Sequence, residues 1–414
     1  MATKRIAIDT LRIGMYVVGC DKSWLQTPFL APTFLIKNRE QINKLERADV
    51  RYVEIDLDRG IDVVSPSSAV SSPASSSAQP ETADDQLPQP VSPARSGMSL
   101  AAEFSEARRL RQTMLRSVHS VLQSIRTTGD VPVQEVKQIS EKMLARTLEQ
   151  DLALIALIQT RDFDPQLYDH AVAVSTLSVA LGRSLGYNDQ WLRYLSEAAL
   201  LHDVGLLHLP KRLLKPVEPL RPHEQRELET HVSIAVEILK SNVGIKEEVR
   251  RLVDGHHLPP PTDGTPEQQQ LAQACLVLNT VDCYDELLSG QGGRRPLATR
   301  EVLQQLFLQA QQGRFALPIV SKLISLVGIF PVYSVIQLNT GHRGIVLRLD
   351  SSDILHPTIL LTHAADRSPL KEPQTVNLSE RATSDVPMEI LSVLNADEEG
   401  IAVEQLLQQH GASI

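Results

Sequence analysis

The amino-acid sequence predicts a mainly α-helical protein, with a small α/β domain at its N-terminus and a short β extension behind the helical part. Three observations lead to this prediction. Apolar residues recur at helical spacing through most of residues 101–330, and they alternate in short segments before residue 60 and after residue 331. Between the first two regions, residues 61–98 are dominated by Ser, Pro and Ala.

Residues 1–60 are predicted to form the small α/β domain. Alternation of apolar and polar residues from Arg12 to Val18 and from Arg51 to Leu57 predicts two strands. Asn38, followed three residues later by Gln41, has the capping-box pattern that begins a helix.

Residues 61–98 are predicted to be a disordered linker. This composition buries too little apolar surface to offset the chain entropy that is lost on folding. We therefore expect the N-terminal domain to fold independently, and proteases to cut the chain first within this segment.

The rest of the chain is predicted to have three parts. Residues 99–330 form a helical domain, in which Asp189 caps a helix that ends near His202. Residues 331–371 form the β extension, which includes a hairpin around Asn339–Gly344. Residues 372–414 are expected to be a polar tail with one helix near Ile401–Gln409.

Composition argues against several classes of protein. The net charge is −9 and no long basic run occurs, which argues against a nucleic-acid polymer as partner. Cys20, Cys275 and Cys283 are too few and too scattered for a disulfide framework or a CxxC zinc site. No apolar run reaches the length of a membrane helix, and the N-terminus does not have the pattern of a signal peptide. A cytoplasmic protein without a membrane span is expected.

Histidines and aspartates form a pattern that points to a metal site. His202-Asp203 stands at a predicted helix end, and a second adjacent pair, His256-His257, follows an apolar segment. Asp282 lies within an apolar run, where a buried acid needs a partner. An imidazole can bind one metal ion, and a carboxylate can bridge two with its two oxygens.

Each residue alone has an ordinary explanation, but the ordered series does not. A lone histidine such as His208, His223 or His342 is expected at the surface or in a satisfied core position. Divalent-metal sites instead need several imidazoles and carboxylates that converge from different helices. We therefore predict that seven residues meet in one cavity of a helical bundle: His170, His202, Asp203, His231, His256, His257 and Asp282.

The segments that carry these residues resemble the HD-GYP branch of the HD superfamily of metal-dependent phosphohydrolases. The stretches LLHDVGLLHLPKRLLKPVEPL, HVSIAVEIL and VDCYDELLS, with HH before the last, are similar to the family's motifs, and LYDHAVAVSTLSVALGRSLGY is similar to its first metal helix. Residues 1–60, with GMYVV and FLIKNREQINKL, resemble the domain that often precedes HD-GYP domains. GIFPVYSVIQLNTGHRGIVLRL resembles the family's C-terminal β extension. The resemblance implies an HD-type helical bundle.

The resemblance also implies an activity and a ligand set. HD-GYP proteins hydrolyse cyclic di-GMP with two or three metal ions, often iron or manganese, and His202 and Asp203 would be the catalytic pair. One ion would take His170, His202, Asp203 and Asp282, and the other Asp203, His231, His256 and His257. Members with three ions add a glutamate one turn before the first histidine. Gln166 stands there, so two divalent ions are expected.

Two motifs beside the expected metals depart from the family pattern. Leu206 replaces the lysine that follows HD-x-G. Leu258 replaces the glutamate after HH, and only Asp263, Gly264 and Pro266 are left of the GYP loop. Arg294 and Arg295 stand near the family's basic phosphate-binding segment, where they would either bind the substrate or belong to a solvated loop.

Three functions are compatible with these features. The first is hydrolysis of cyclic di-GMP to pGpG or GMP in bacterial second-messenger signalling. The second is a catalytically weak or inactive HD-GYP-like module that keeps its metals to stabilise the fold and binds signalling protein partners. The third is an HD nucleotidase that acts on other phosphate esters. A homodimer is compatible with all three.

Overall fold

The computed structural model describes residues 3–21, 34–36, 39–47, 50–57, 60–61, 99–148, 152–159, 167–214, 216, 220–257, 265–291, 294–349, 355–381, 388–396 and 398–410. The chain divides into two compact units, Met1–Pro93 with Asp350–Leu355, and Ala94–Leu349 with His356–Ile414. Several predictions fall on positions outside the described residues, namely Asn38, residues 62–98, Gln166, Leu258, Asp263 and Gly264.

The N-terminal unit contains an antiparallel sheet with one helix packed against it. Its elements are β1 (Thr3–Ala7), β2 (Tyr16–Cys20), β3 (Phe34–Leu35), α1 (Arg39–Arg47) and β4 (Tyr52–Asp56). The strand order is β1-β4-β2-β3. Val53 and Ile55 of β4 face the same core as Ile42 and Leu45 of α1, and all four are buried. The predicted α/β character of this region is confirmed.

The second unit is built from helices around a buried central helix. The helices are α2 (Leu100–Thr128), α3 (Val133–Leu148), α4 (Leu152–Gln159), α5 (Leu167–Ser184), α6 (Asp189–Leu201), α7 (Lys211–Leu214), α8 (Pro222–Glu229), α9 (His231–Ser241), α10 (Glu247–Gly255), α11 (Pro266–Ser289), α12 (Thr299–Gln311) and α13 (Leu317–Val327). Every residue of α5 from His170 to Gly182 is buried. Such a helix has no polar face and lies in the centre of a bundle, and α5 packs against α2, α3, α6, α11 and α13.

The helix that leads to His202 begins one residue earlier than the sequence predicts. Asn188, not Asp189, is the N-cap of α6, and its side chain accepts a hydrogen bond from the Trp191 amide at 3.0 Å. Asn and Asp are equally good caps, so the sequence alone does not separate two adjacent candidates. Asp189 becomes the first helical residue, where its charge interacts favourably with the helix dipole.

The C-terminal part of the second unit is a five-stranded antiparallel sheet with two short helices. Its elements are β5 (Val335–Leu338), β6 (Arg343–Arg348), β7 (Thr358–His363), β8 (Pro369–Asn377), α14 (Leu378–Arg381), β9 (Ile390–Leu394) and α15 (Val403–His410). The strand order is β8-β7-β6-β5-β9. The predicted hairpin is confirmed, with Val335 opposite Ile345.

The sheet extends further along the chain than predicted. Most of β8 and all of β9 lie within residues 372–414, for which the sequence predicts a polar tail. Most residues of β8 are exposed or half-buried, so the strand lacks the apolar alternation by which strands are recognised. Backbone pairing with β7, from Thr358↔Asn377 to His363↔Pro369, holds it in the sheet. Among the described residues, no helix is long and apolar enough to cross a membrane.

Candidate metal centre

The ends of several helices meet at one place in the helical unit. His170 lies in the first turn of α5, His202 and Asp203 directly follow α6, His231 begins α9, and His256 follows α10. Asp282 comes from the middle of α11. These six residues are buried, whereas the His257 side chain is 43% exposed. Helix ends bring side chains from separate helices to one point, which a single helix face does not do.

The seven predicted residues fall into two groups joined by one carboxylate. His170, His202 and Asp282 offer donor atoms that all lie within 4.8 Å of one another, and so do His231, His256 and His257. Asp203 stands between the groups. Its Oδ2 is 3.6 Å from Nε2 of both His170 and His202, and its Oδ1 is 3.3 Å from Nε2 of His231. One oxygen of Asp203 therefore faces each group.

The second carboxylate, Asp282, belongs to the first group. Its Oδ1 is 3.1 Å from His170 Nε2 and 3.4 Å from His202 Nε2, although neither contact has hydrogen-bond geometry. Its Oδ2 lies 4.0 Å from His257 Nδ1, toward the second group.

Hydrogen bonds at Nδ1 fix the orientation of four of the histidine rings. Nδ1 of His202, His231 and His256 lies 2.8, 2.8 and 2.6 Å from the backbone carbonyls of Ala199, Leu228 and Val253 respectively. Nδ1 of His170 lies 2.8 Å from Asp285 Oδ2. Because carbonyl and carboxylate oxygens only accept, each of these Nδ1 atoms carries a proton, and a ring that is neutral then has its lone pair on Nε2.

The Nε2 atoms of these four rings lie in the two ligand groups, where a cation would bind. Nε2 of His170 and Nε2 of His202 are only 3.2 Å apart. Nε2 of His231 and His256 are buried and have no hydrogen-bond partner among the described residues. A buried unsatisfied polar atom costs about 1–3 kcal/mol. Imidazole nitrogens and carboxylate oxygens are ligands that first-row divalent metals accept, so these residues fit metal ions.

The electrostatics differ from ligand to ligand. Burial lowers the pKa of His170 and of His202, but Asp282 and Asp285 at His170, and Asp203 and Asp282 at His202, outweigh burial and raise the pKa of both rings, so a metal ion would have to displace a proton from each. Burial and the neighbouring imidazoles of His257 and His202 lower the pKa of His256 to about 3, so its ring is neutral at pH 7. Burial also lowers the pKa of His257. For Asp282, burial raises the pKa, but His170 and His202 outweigh it and hold the pKa well below the usual range. Asp282 is therefore ionised.

A glycine lets Asp203 reach the second group. Residues Val204–His208 form a 3₁₀ turn directly after Asp203, and this turn packs on the start of α9. A Cβ atom added to Gly205 would lie 2.0 Å from the carbonyl oxygen of His231. Real Cβ contacts are essentially never closer than 3.0 Å, so only glycine allows this approach without a shift.

Two acids of the site escape the sequence analysis. Asp285 is fully buried and accepts the Nδ1 hydrogen bond of His170. Glu286 lies one helical turn after Asp282, and burial, followed by the charge of Asp282, raises the pKa of its carboxyl to about 8. The available signal is their spacing, since residues three and four positions after Asp282 share its side of α11.

The positions that depart from the family pattern have different surroundings. Leu206 is 7% exposed and brings no charge to the cavity. Arg294 and Arg295 are exposed. The charge of Arg294 lowers the pKa of the Glu286 carboxyl, against the larger effect of burial. Binding of substrate by Arg294 or Arg295 stays a prediction.

Comparison with known proteins agrees with this geometry. Residues 3–136 match the family described as "Domain of unknown function (DUF3391)", and residues 153–316 match the family described as "HD domain". The first match continues past the predicted linker through α2 and into α3. HD domains bind divalent metals, and the two groups of ligand-type side chains lie within the HD match.

One curated relative matches nearly the whole chain, and another matches about a third of it. A cyclic di-GMP phosphodiesterase of Pseudomonas aeruginosa is 27% identical over 405 residues, which are 95% of this chain and 95% of that protein. A cyclic di-GMP phosphodiesterase of Thermotoga maritima is 25% identical over 152 residues, 36% of this chain and 40% of that protein. Among solved structures, an HDG"Y"P protein of Bdellovibrio bacteriovorus is similar, with a TM-score of 0.43, 16% identity, and coverage of 78% of this chain and 98% of that one. The chain is therefore an HD-domain protein with a DUF3391 domain at its N-terminus, the domain arrangement of HD-GYP proteins.

Proposed function

We propose that this protein is a metal-dependent phosphodiesterase that hydrolyses cyclic di-GMP. The observation that carries the proposal is the pair of ligand groups that share Asp203, one group for each of its oxygens. A relative that matches 95% of the chain is named for the same activity, and this supports the choice of substrate.

Each group would hold one ion. His170, His202, Asp282 and Asp203 Oδ2 would bind the first, and His231, His256, His257 and Asp203 Oδ1 the second. Ligand sets of imidazole and carboxylate suit iron and manganese, the two metals we expect here. His202 and Asp203, which form the HD pair, would lie beside the reacting phosphate.

Divalent ions in these positions would lower the pKa of a water molecule and offset the negative charge of the phosphodiester. The protein's own residues orient the metal ligands and hold them in place. The Nδ1 hydrogen bonds aim each Nε2 at its ion, which outer-shell partners of metal ligands generally do. Leu206 contributes no cation, and Arg294, whose charge acts on Glu286, is our candidate for contact with the second phosphate.

The buried apolar side chain of Leu206 favours a second candidate function. A site with metals but too little positive charge for a dianionic substrate would serve as a signalling module that binds protein partners. Loss of one charged contact typically lowers the rate by about 10²–10³. Leu206 is therefore also compatible with an enzyme of reduced activity.

Turnover by metal-loaded protein separates these functions. The protein is purified with and without oxygen, its metal content is measured, and cyclic di-GMP is added to the same samples. We expect two ions per chain and slow hydrolysis. Two bound ions without hydrolysis would instead support the signalling module. If other phosphate esters at equal concentration compete with cyclic di-GMP for hydrolysis, the result would favour the third function, an HD nucleotidase.

A further inference from the structure

His170 stands in a part of α5 that needs support from outside the helix. The helix begins at Leu167, so His170 lies in its first turn. The first amides of a helix have no partner within the helix, and terminal turns open more readily than central ones. A metal ligand in such a turn keeps its place only if neighbouring elements hold the turn.

Helix α2 holds both residues that precede His170. Arg111 Nη2 of α2 donates to Asp169 Oδ1 at 2.5 Å, and each of the two side chains is 21% exposed. The rings of His119 and Tyr168 meet edge to face, with centroids 5.2 Å apart. From the other side, Asp285 of α11 accepts the hydrogen bond of the His170 ring itself.

Helix α2 is in turn fixed to its own neighbours. Glu404 of α15 accepts a hydrogen bond from Ser105 Oγ at 2.7 Å and pairs with Arg108 Nη1 at 2.9 Å. Arg146 of α3 pairs with Glu106 at 2.7 Å. α2 also packs against the 3₁₀ turn that follows Asp203. The helix therefore contacts the chain beside both His170 and Asp203.

We propose that Arg111 is a positioning residue for the metal centre. Through Asp169 it fixes the first turn of α5, so that His170 stays within reach of the ion held by His202 and Asp282. The inference rests on the proposed function only in assuming that the group of His170, His202 and Asp282 binds a metal ion. Outer-shell partners of metal ligands typically change metal affinity 10–100-fold, and we expect an effect of that order at one of the two sites.

Binding of Mn²⁺ to metal-free full-length protein tests this directly. Arg111→Met and Asp169→Asn should each weaken one of the two binding steps by about tenfold or more, with the other step unchanged. The double variant should bind no more weakly than the weaker single variant, because both changes break the same contact. Arg111→Lys, which keeps the positive charge, should recover part of the lost affinity.

Arg108→Gln is the matched control. It removes an arginine from the same helix, one turn earlier, whose partner Glu404 lies on α15 and not on α5. Wild-type Mn²⁺ affinity in folded Arg111→Met, or equal loss in Arg108→Gln, would overturn the proposal. If Arg111→Met does not fold, Asp169→Asn, which keeps the side-chain volume, gives the same test. Protein that binds two ions normally but does not cleave cyclic di-GMP would refute the proposed function and leave the role of Arg111 intact.

Discussion

Asp203 is the residue on which the two halves of the site depend, because its oxygens face different histidine groups. Asp203→Asn keeps the size of the side chain but replaces one charged oxygen by an NH₂ group that cannot bind a cation. Metal ions contribute several kcal/mol of transition-state charge stabilisation, and each 1.4 kcal/mol is a factor of ten. We therefore expect this variant to retain fewer than two ions and to lose activity by about 10³.

Metal analysis and a hydrolysis assay on the same preparation check this expectation. His208→Ala is the control, since His208 is exposed and stands outside both ligand groups. Two ions retained with wild-type turnover in Asp203→Asn would show that Asp203 is not shared between the groups.

Cys275 gives a prediction about reactivity and pH. Burial, followed by the charge of Asp254, raises the pKa of the Cys275 thiol to about 12. Because the thiolate is the reactive form, a thiol with this pKa is ionised in only about one molecule in 10⁴ at pH 8. We expect Cys275 to resist alkylation between pH 7 and pH 9 in the folded protein and to react quickly after denaturation. Mass spectrometry of the modified peptides measures both rates, and rapid native modification would contradict the raised pKa of this half-buried thiol.

At the scale of elements, the 3₁₀ turn against α9 is the contact that brings Asp203 to His231. Gly205→Ala places a methyl group 2.0 Å from the His231 carbonyl oxygen, so the turn and the helix must separate. Overpacking of this kind typically costs about 1–3 kcal/mol. We expect a lower melting temperature together with weaker metal binding, because Asp203 and His231 move apart.

Gly19→Ala is the control for this prediction. The added Cβ of that variant meets nothing closer than 3.4 Å, which is an ordinary contact. Equal melting temperatures for Gly205→Ala and wild-type protein would show that the turn does not need the close approach.

The C-terminal strands and helix provide a second element-scale prediction. Removal of residues 372–414 deletes β9, the partner of β5, and α15, which packs on α2. It also removes the buried side chains of Leu378, Ile390, Ile401 and Leu407. Each buried side chain of this size contributes about 1.5–3 kcal/mol, and four together approach the whole stability of a typical domain.

We therefore expect the truncated protein to unfold at lower temperature or to be insoluble. Removal of residues 411–414 alone is the control, because these residues lie outside the elements just named. Unchanged thermal unfolding after the longer deletion would contradict the packing of α15 and β9.

At the scale of the whole molecule, the sequence predicts the metal ligands better than it predicts the residues that position those ligands. The seven predicted residues are recognisable because their chemistry is unusual in apolar segments, and the helical class follows from periodicity. Arg111 is an ordinary charged residue of a helix, and only its tertiary contact with Asp169 singles it out. The spacing of Asp285 from Asp282 is a weak signal, and its contact with His170 is what gives it a role.

The same limit explains the extent of the C-terminal sheet. Strand β8 has few buried side chains, so its membership depends on backbone pairing with β7, which no local pattern shows. The N-cap of α6 is a smaller case, in which two adjacent residues are equally suitable by residue type and Asn188 is the one whose side chain accepts the cap hydrogen bond.

We expect two ions bound around Asp203 to cleave cyclic di-GMP, and we expect Leu206 to slow this reaction because its side chain offers the phosphate no positive charge. Leu206→Lys tests it most directly. A lysine at this position adds a positive charge on a flexible stem, and the expected gain is about tenfold or more in turnover, which corresponds to about 1.4 kcal/mol or more. The measurement compares cyclic di-GMP hydrolysis by wild type and Leu206→Lys, both loaded anaerobically and shown to hold two ions. Faster cleavage by Leu206→Lys is the predicted result, and absence of cleavage by both proteins would contradict the account.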